Sequence, residues 1–221
     1  MFLRKIKDIK ISKNEISAVR DASISVEELE SQISQLSYEG RNKPKVKGIE
    51  TARLPPFIQA FYYHFFAYLK VPAAKEVFNT YISWLEGEQN GLVEIGGVKY
   101  QAEAIEYRFL RTYPSLIRDL HFLYLLQESN LFENIEYSME QDYYNGLDLK
   151  IYHNEKTYFI SLFIDTQRST FYKRRKKIRH DYSEVHEIEL KVSLSSLTLF
   201  GNIYLLNQTH VKKLEEEIFN K

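Results

Sequence analysis

The sequence predicts an α/β (α+β) chain, with a central sheet flanked by helices and a mainly helical domain in front of it. Three observations carry that reading. Apolar residues recur at helical spacing through much of residues 25–85. From Tyr113 onward, helical stretches alternate with short runs rich in Ile, Tyr, Phe and Val, the pattern of strands covered by helices. Only 8 Gly and 5 Pro interrupt the 221 residues, so long flexible linkers are not expected. At roughly 100–200 residues per domain the chain holds one large domain or two small ones, and we place the boundary between 1–104 and 105–221.

Residues 1–24 have no clean period and read as a strand or extended arm. A helix opens at Ser25, which can cap, with Glu28 three residues on as a capping box requires, and should run to about Ser37. Gly40 to Lys45 is a polar, basic loop. Pro55-Pro56 leads into an aromatic helix over 57–69, Val71-Pro72 breaks it, and a further helix runs from Ala73 to Leu85. Leu92 to Tyr100 holds two alternating runs around Gly96-Gly97, a hairpin signal. Helices followed by a hairpin resemble a winged helix-turn-helix, although no strongly basic helix precedes the wing. In the second half a helix is expected from Tyr113 or Pro114 through Gln127, with a wide apolar stripe. Strands follow over Ile135–Met139, Leu147–Tyr152 and Thr157–Ile164, then a charged helix over about 169–180. Strands Val185–Leu194 and Leu197–Leu206 and a helix opened by Asn207-Gln208-Thr209 complete the chain.

Composition removes several function classes. Lys and Arg number 30 against 30 Asp and Glu, giving a net charge of zero, so a uniformly basic nucleic-acid coat is excluded while a local patch is not. There is no cysteine, which removes disulfides, thiolate metal sites and cysteine nucleophiles together and fits a cytoplasmic setting. No apolar h-region follows the charged Met1–Lys7, so secretion is not expected. The most apolar window, Leu54 to Leu69, falls short of the roughly 20 residues that span a bilayer and contains Gln59 and His64. It reads as a buried helix, with no membrane partner. The six histidines form no metal-binding spacing, and no phosphate-binding Gly loop or G-x-S-x-G elbow is present. The abundant tyrosines read as core packing rather than base stacking.

Two acids stand out by position. Asp148 follows a Gly turn at the start of one strand, and Asp165 ends the most apolar strand, Tyr158 to Ile164. Burying a carboxylate at such a strand end costs several kcal/mol without positive compensation, and a divalent cation would supply it. If the Asn154-Glu155-Lys156 turn pairs the two strands, the start of the first lies beside the end of the second. Asp148 and Asp165 are then expected at one sheet edge, sharing Mg²⁺ or Mn²⁺ through oxygen ligands. The structural alternatives are that Asp148 ends a turn and Asp165 caps the following helix.

With Gly146-Leu147-Asp148-Leu149 and Asp165-Thr166-Gln167, residues 113–206 resemble the PD-(D/E)XK nuclease superfamily of restriction enzymes, junction resolvases and transposon-end nucleases. The resemblance implies a restriction-endonuclease-like central mixed sheet, a metal held by Asp148, Asp165 and the Thr166 carbonyl, and a metal-bound water that attacks phosphorus. It also implies an acid from the preceding helix, for which Asp119 is the most central candidate, with Glu136 and Glu140 behind it. The expected activity is that of a metal-dependent DNA endonuclease in restriction, defence or mobile-element processing. Gln167 departs from the pattern, because it stands where the family has lysine and cannot supply a positive charge. Lys150, on the same strand face as Asp148, or Arg168 would have to substitute. Otherwise the site is weak or inactive, and the chain is a DNA-binding subunit of a larger assembly, as a homodimer or with a protein partner. A pure protein-interaction domain is a third class.

Residues 168–179 contain seven basic residues, Arg168, Lys173, Arg174, Arg175, Lys176, Lys177 and Arg179, and no acid. Such a strip gains affinity for phosphates through counterion release. Without it the rest of the chain holds 23 basic against 30 acidic residues, so the neutral total is a cancellation between a basic strip and a mildly acidic body.

Overall fold

The computed structural model describes residues 10–11, 24–85, 90–138, 141–165 and 185–220. The elements are β1 (Lys10–Ile11), α1 (Val26–Ser34), α2 (Lys47–Glu50), α3 (Ile58–Tyr68), α4 (Ala74–Trp84), β2 (Leu92–Ile95), β3 (Val98–Gln101) and α5 (Ala102–Ser129). They continue with β4 (Asn134–Ser138), β5 (Leu149–His153), β6 (Lys156–Ile164), β7 (His186–Val192), β8 (Thr198–Phe200), β9 (Ile203–Leu205) and α6 (Gln208–Phe219). The chain is a mixture of helices and small sheets, as expected of an α+β protein. No helix among the described residues is long and apolar enough to cross a membrane.

Two compact units form. One comprises Ser31–Ile117 with Gly201–Ile203; the other comprises the described residues of Asp8–Glu30, Arg118–Phe200 and Tyr204–Lys221. The units divide within α1 between Glu30 and Ser31, within α5 between Ile117 and Arg118, and on either side of Gly201–Ile203.

In the first unit the aromatic residues make the core. Phe57 lies 4.7 Å from Tyr81 and 5.3 Å from Phe109 between ring centroids, and Phe61 and Phe109 lie 6.2 and 5.8 Å from Tyr113. Such tilted and edge contacts are the favourable arrangements for ring quadrupoles. Phe61, Phe65, Phe109 and Tyr113 are fully buried, in keeping with a packing use of these rings. The β2–β3 hairpin turns at Gly96 and Gly97, with φ of 59° and 79°. Two successive positive φ values match a type I′ turn, which glycine accepts without a Cβ penalty.

Helix α5 begins at Ala102, not at Tyr113 or Pro114, and carries Pro114 in its interior. A proline there has no N–H for the carbonyl four residues back, which is that of Leu110. The Tyr38 hydroxyl donates to this carbonyl instead, at 2.9 Å, and the helix runs on through the proline that the sequence placed at its start.

The second unit contains a five-stranded sheet in the order β1-β4-β5-β6-β7. Strands β4, β5 and β6 form an antiparallel meander, and β7 runs parallel to β6. One sheet face is apolar, with Ile135, Leu149, Ile151, Tyr158, Ile160, Ile188, Leu190 and Val192 all buried. Leu120, Leu123 and Leu126 of α5 and Val211, Leu214 and Ile218 of α6 are buried in the same unit, and the Lys213 ammonium donates to the Lys191 carbonyl at 2.8 Å. The arm expected before residue 24 contributes Lys10 and Ile11 as an edge strand beside β4. The strand expected over Leu197–Leu206 is instead the separate pair β8 and β9, bent at Gly201, whose φ is 54° and where a Cβ would meet the Ser34 carbonyl oxygen at 2.7 Å. Ser25 Oγ accepts from the Glu28 N–H, and Asn207 Oδ1 from the Thr209 N–H, so both helix starts form where the sequence placed their caps. The charged helix expected at 169–180 lies outside the described residues.

Candidate functional site

The second sheet face carries the charged side chains. Strand pairing puts Glu136 opposite Lys150, Lys150 opposite Phe159, and Phe159 opposite Glu187. Ser161 faces Glu189 across β7, and the next position beyond the Leu149–Ile160 pair brings Asp148 level with Ser161. Paired positions share a face, so Asp148, Ser161 and Glu189 form one row across three strands. Glu136, Lys150, Phe159 and Glu187 form the next.

Asp148 has a structural assignment here. Its N–H donates to the Ile160 carbonyl at 2.9 Å, and its Oδ2 accepts the Leu162 N–H at 2.5 Å. Strand β5 begins only at Leu149, while β6 runs on to Ile164. The carboxylate therefore extends the ladder by one bond at the point where backbone pairing ends, satisfying a donor that would be costly to leave unmade.

Asp165 does not meet it. Asp165 lies four residues beyond Ser161, about 13 Å along the strand at roughly 3.3 Å per residue. Its backbone N–H donates to the Val192 carbonyl at 2.7 Å, and its carboxylate pairs with the Lys191 ammonium at 3.0 Å. By strand alternation the positions of both acids fall on one side at the open end of the β5–β6 hairpin. Because β6 outruns β5, the two positions are offset by four residues along the sheet, and the carboxylates are engaged separately, Asp148 by the Leu162 N–H and Asp165 by Lys191. Asp165 is exposed rather than buried at its strand end, so the burial cost that suggested a cation does not arise, and the Lys191 contact is a solvent-exposed ion pair.

Lys150 is directed elsewhere as well. Its ammonium lies 4.0 Å from Glu136 Oε2 and 4.4 Å from the centroid of the Tyr152 ring. Asp119 is on α5 next to Arg118, whose Nε donates to the Tyr204 carbonyl at 3.0 Å. No three His, Asp or Glu side chains among the described residues come together as a metal-holding group. Asp119, Asp148 and Asp165 therefore do not converge, and the residues described do not fit the cation that the resemblance implies. Thr166, Gln167, Arg168, Lys173, Arg174, Arg175, Lys176, Lys177 and Arg179 lie outside the described residues.

The polar face contains residues that sequence reasoning missed, namely Ser161, Glu187 and Glu189. Ser161 is buried, and its Oγ donates to Glu187 Oε1 at 2.8 Å. The alternation Glu187-Ile188-Glu189-Leu190 was a visible signal for a one-sided polar strand. Its register against β6, which brings Glu189 into the Asp148 row, follows from a parallel pairing that no local pattern announces.

Outside the sheet, one buried imidazole is notable. His121 on α5 is fully buried, its Nε2 lies 3.0 Å from Glu30 Oε1, and its Nδ1 has no hydrogen-bond partner among the described residues. Burial lowers its pKa from the ordinary histidine value, against an opposing pull from Glu30. A neutral ring donating from Nε2 leaves only an acceptor unmade, whereas protonation would bury an unmade N–H donor. No family model, curated protein or solved structure matches the chain.

Proposed function

We propose that the protein is a nuclease-fold nucleic-acid-binding protein with weak or no metal-dependent cleavage of its own, acting as the DNA-contacting component of a larger assembly. The fold part of this reading is supported by the element order. A core helix precedes three antiparallel strands, and the next described strand, β7, runs parallel to the third, in keeping with the strand order that the PD-(D/E)XK resemblance implies. The catalytic part rests on one observation above the others, the four-residue offset between Asp148 and Asp165 with Lys191 paired to the latter. Gln167 at the lysine position points the same way. The seven basic residues between Arg168 and Arg179 support the DNA-binding part, since each phosphate neutralised releases counterions.

Two measurements test it. Fluorescence anisotropy of a labelled duplex, titrated at several salt concentrations, should show binding that weakens steeply with salt and is largely lost when Lys173, Arg174, Arg175, Lys176 and Lys177 are changed to Glu. Supercoiled plasmid incubated with Mg²⁺ or Mn²⁺ should remain as intact as with EDTA. Metal-dependent nicking that disappears in Asp148→Asn would overturn the reading in favour of an active endonuclease, because Asn retains an oxygen for the Leu162 N–H while removing the charge a metal needs. Absence of DNA binding at low salt would leave a protein-interaction domain.

A further inference from the structure

Residues 40–53 of the first unit hold five basic residues, Arg41, Lys43, Lys45, Lys47 and Arg53, against a single acid, Glu50. Arginines of α5 hold the backbone of this loop. The Arg108 guanidinium donates to the Ile49 and Ala52 carbonyls, the latter at 2.9 Å. Arg111 donates to the Lys43 and Pro44 carbonyls at 3.3 and 2.5 Å and forms an ion pair with Glu50. The one acid of the loop is thus neutralised from inside, and four of its carbonyl oxygens are turned toward two further cations.

The outward side is left strongly positive. Lys45, Lys47 and Arg53 are exposed, and among the described residues none of them is ion-paired with a carboxylate. Lys43 lies over the Tyr107 ring at 5.4 Å. The backbone is extended at Lys43 (φ −66°, ψ 135°) and at Val46 (φ −100°, ψ 117°). Lys45 and Lys47, the latter the first residue of α2, flank the extended Val46, which spaces their Cα atoms about 6.6 Å apart at roughly 3.3 Å per residue. That step is comparable with the interval between successive phosphates along one nucleic-acid strand. Gly40 keeps the loop close to α5, since a Cβ there would meet the Leu110 carbonyl oxygen at 2.6 Å. A charge run on a mobile chain can spread to relieve its own repulsion. A run clamped at four carbonyls cannot, and an external polyanion relieves it instead.

We infer that this loop is a second phosphate-binding surface, which contacts the backbone of duplex DNA through Lys45, Lys47 and Arg53. The inference deepens the DNA-binding reading above and rests on it, but it assigns contacts to a unit that lacks the basic strip. Such contacts position the protein and carry no base specificity.

The test is anisotropy of a labelled duplex with the full chain, as a function of salt. Each phosphate contact contributes about 0.9 to the slope of log K against log salt. The triple variant Lys45→Gln, Lys47→Gln, Arg53→Gln should therefore bind with a slope shallower by about 2.7, equally for unrelated duplex sequences, and with an unchanged circular dichroism spectrum. The charge-reversed triple variant to Glu should weaken binding further, whereas Lys156→Glu, in the β5–β6 hairpin, should leave it unaltered. An unchanged slope in both triple variants, with binding still lost on reversing residues 173–177, would overturn the loop assignment and leave the DNA-binding reading standing. If the wild-type chain binds no duplex at 50 mM salt, that reading itself fails. Loop-dependent binding to vesicles of phosphatidylcholine and phosphatidylserine without DNA binding would overturn the choice of partner.

Discussion

Pro114 would end most helices, and here a single hydroxyl carries the chain past it. The Leu110 carbonyl loses its i+4 donor to the proline ring and takes one from Tyr38, 72 residues away in sequence. Tyr38→Phe keeps the ring and removes that hydroxyl donor, so the Leu110 carbonyl loses the hydrogen bond that stands in for the missing proline N–H. We expect a loss of about 1–3 kcal/mol, the usual range for an unsatisfied partly buried group, read as a lower urea midpoint with unchanged m-value. An unchanged midpoint would mean that water reaches the carbonyl. Asp148 shows the same logic at a residue of functional interest. Its position after a Gly turn is legible in the sequence, and the turn-ending alternative was open from the start. That its carboxylate would take the Leu162 N–H was not legible, because it depends on how far β6 outruns β5.

The β5–β6 hairpin is the element on which the site turns. Its connection, Asn154-Glu155, has φ of 49° and 62°, both in the left-handed region. Asparagine visits that region readily. Glutamate does so at a cost of about 1–2 kcal/mol. Glu155→Gly should therefore stabilise the protein by about 1 kcal/mol, less the entropy glycine adds to the unfolded chain, measured as a raised urea midpoint. A destabilised variant would show that the Glu155 side chain makes a contact worth more than the strain. Most elements were readable from periodicity and punctuation. The caps at Ser25 and Asn207, the Gly96-Gly97 hairpin and the three strands of the meander all sit within a few residues of their expected places. The misreadings have physical causes. A proline satisfied from a distant tyrosine hid the first eleven residues of α5, and Gly201, held against the Ser34 carbonyl, divided one apolar run into two short strands.

Across the whole molecule, stability should depend on pH through the imidazoles that burial keeps neutral. Burial lowers the pKa of His121, and also that of His210. A depressed histidine pKa means that the unfolded chain binds the proton first, so stability is full above the unfolded value of about 6.5 and falls as pH drops below it. Urea denaturation at pH 7.5 and 5.5 should show a loss that is smaller in His121→Gln. An equal loss in that variant would assign the effect to other groups. The residues alone established a helical first half, a sheet-bearing second half, the absence of cysteine chemistry and the concealment of a basic strip within a neutral total. All of these follow from local propensity, periodicity and counting, which are properties of neighbours in the chain. The separation of Asp148 from Asp165, the ion pair that Lys191 supplies, the row that joins Ser161 to Glu189 and the clamp that Arg108 and Arg111 place on the basic loop are of another kind. Each depends on strand register or on a contact between residues distant in sequence, and such pairings are set by the packing of whole elements, which no short stretch of sequence encodes.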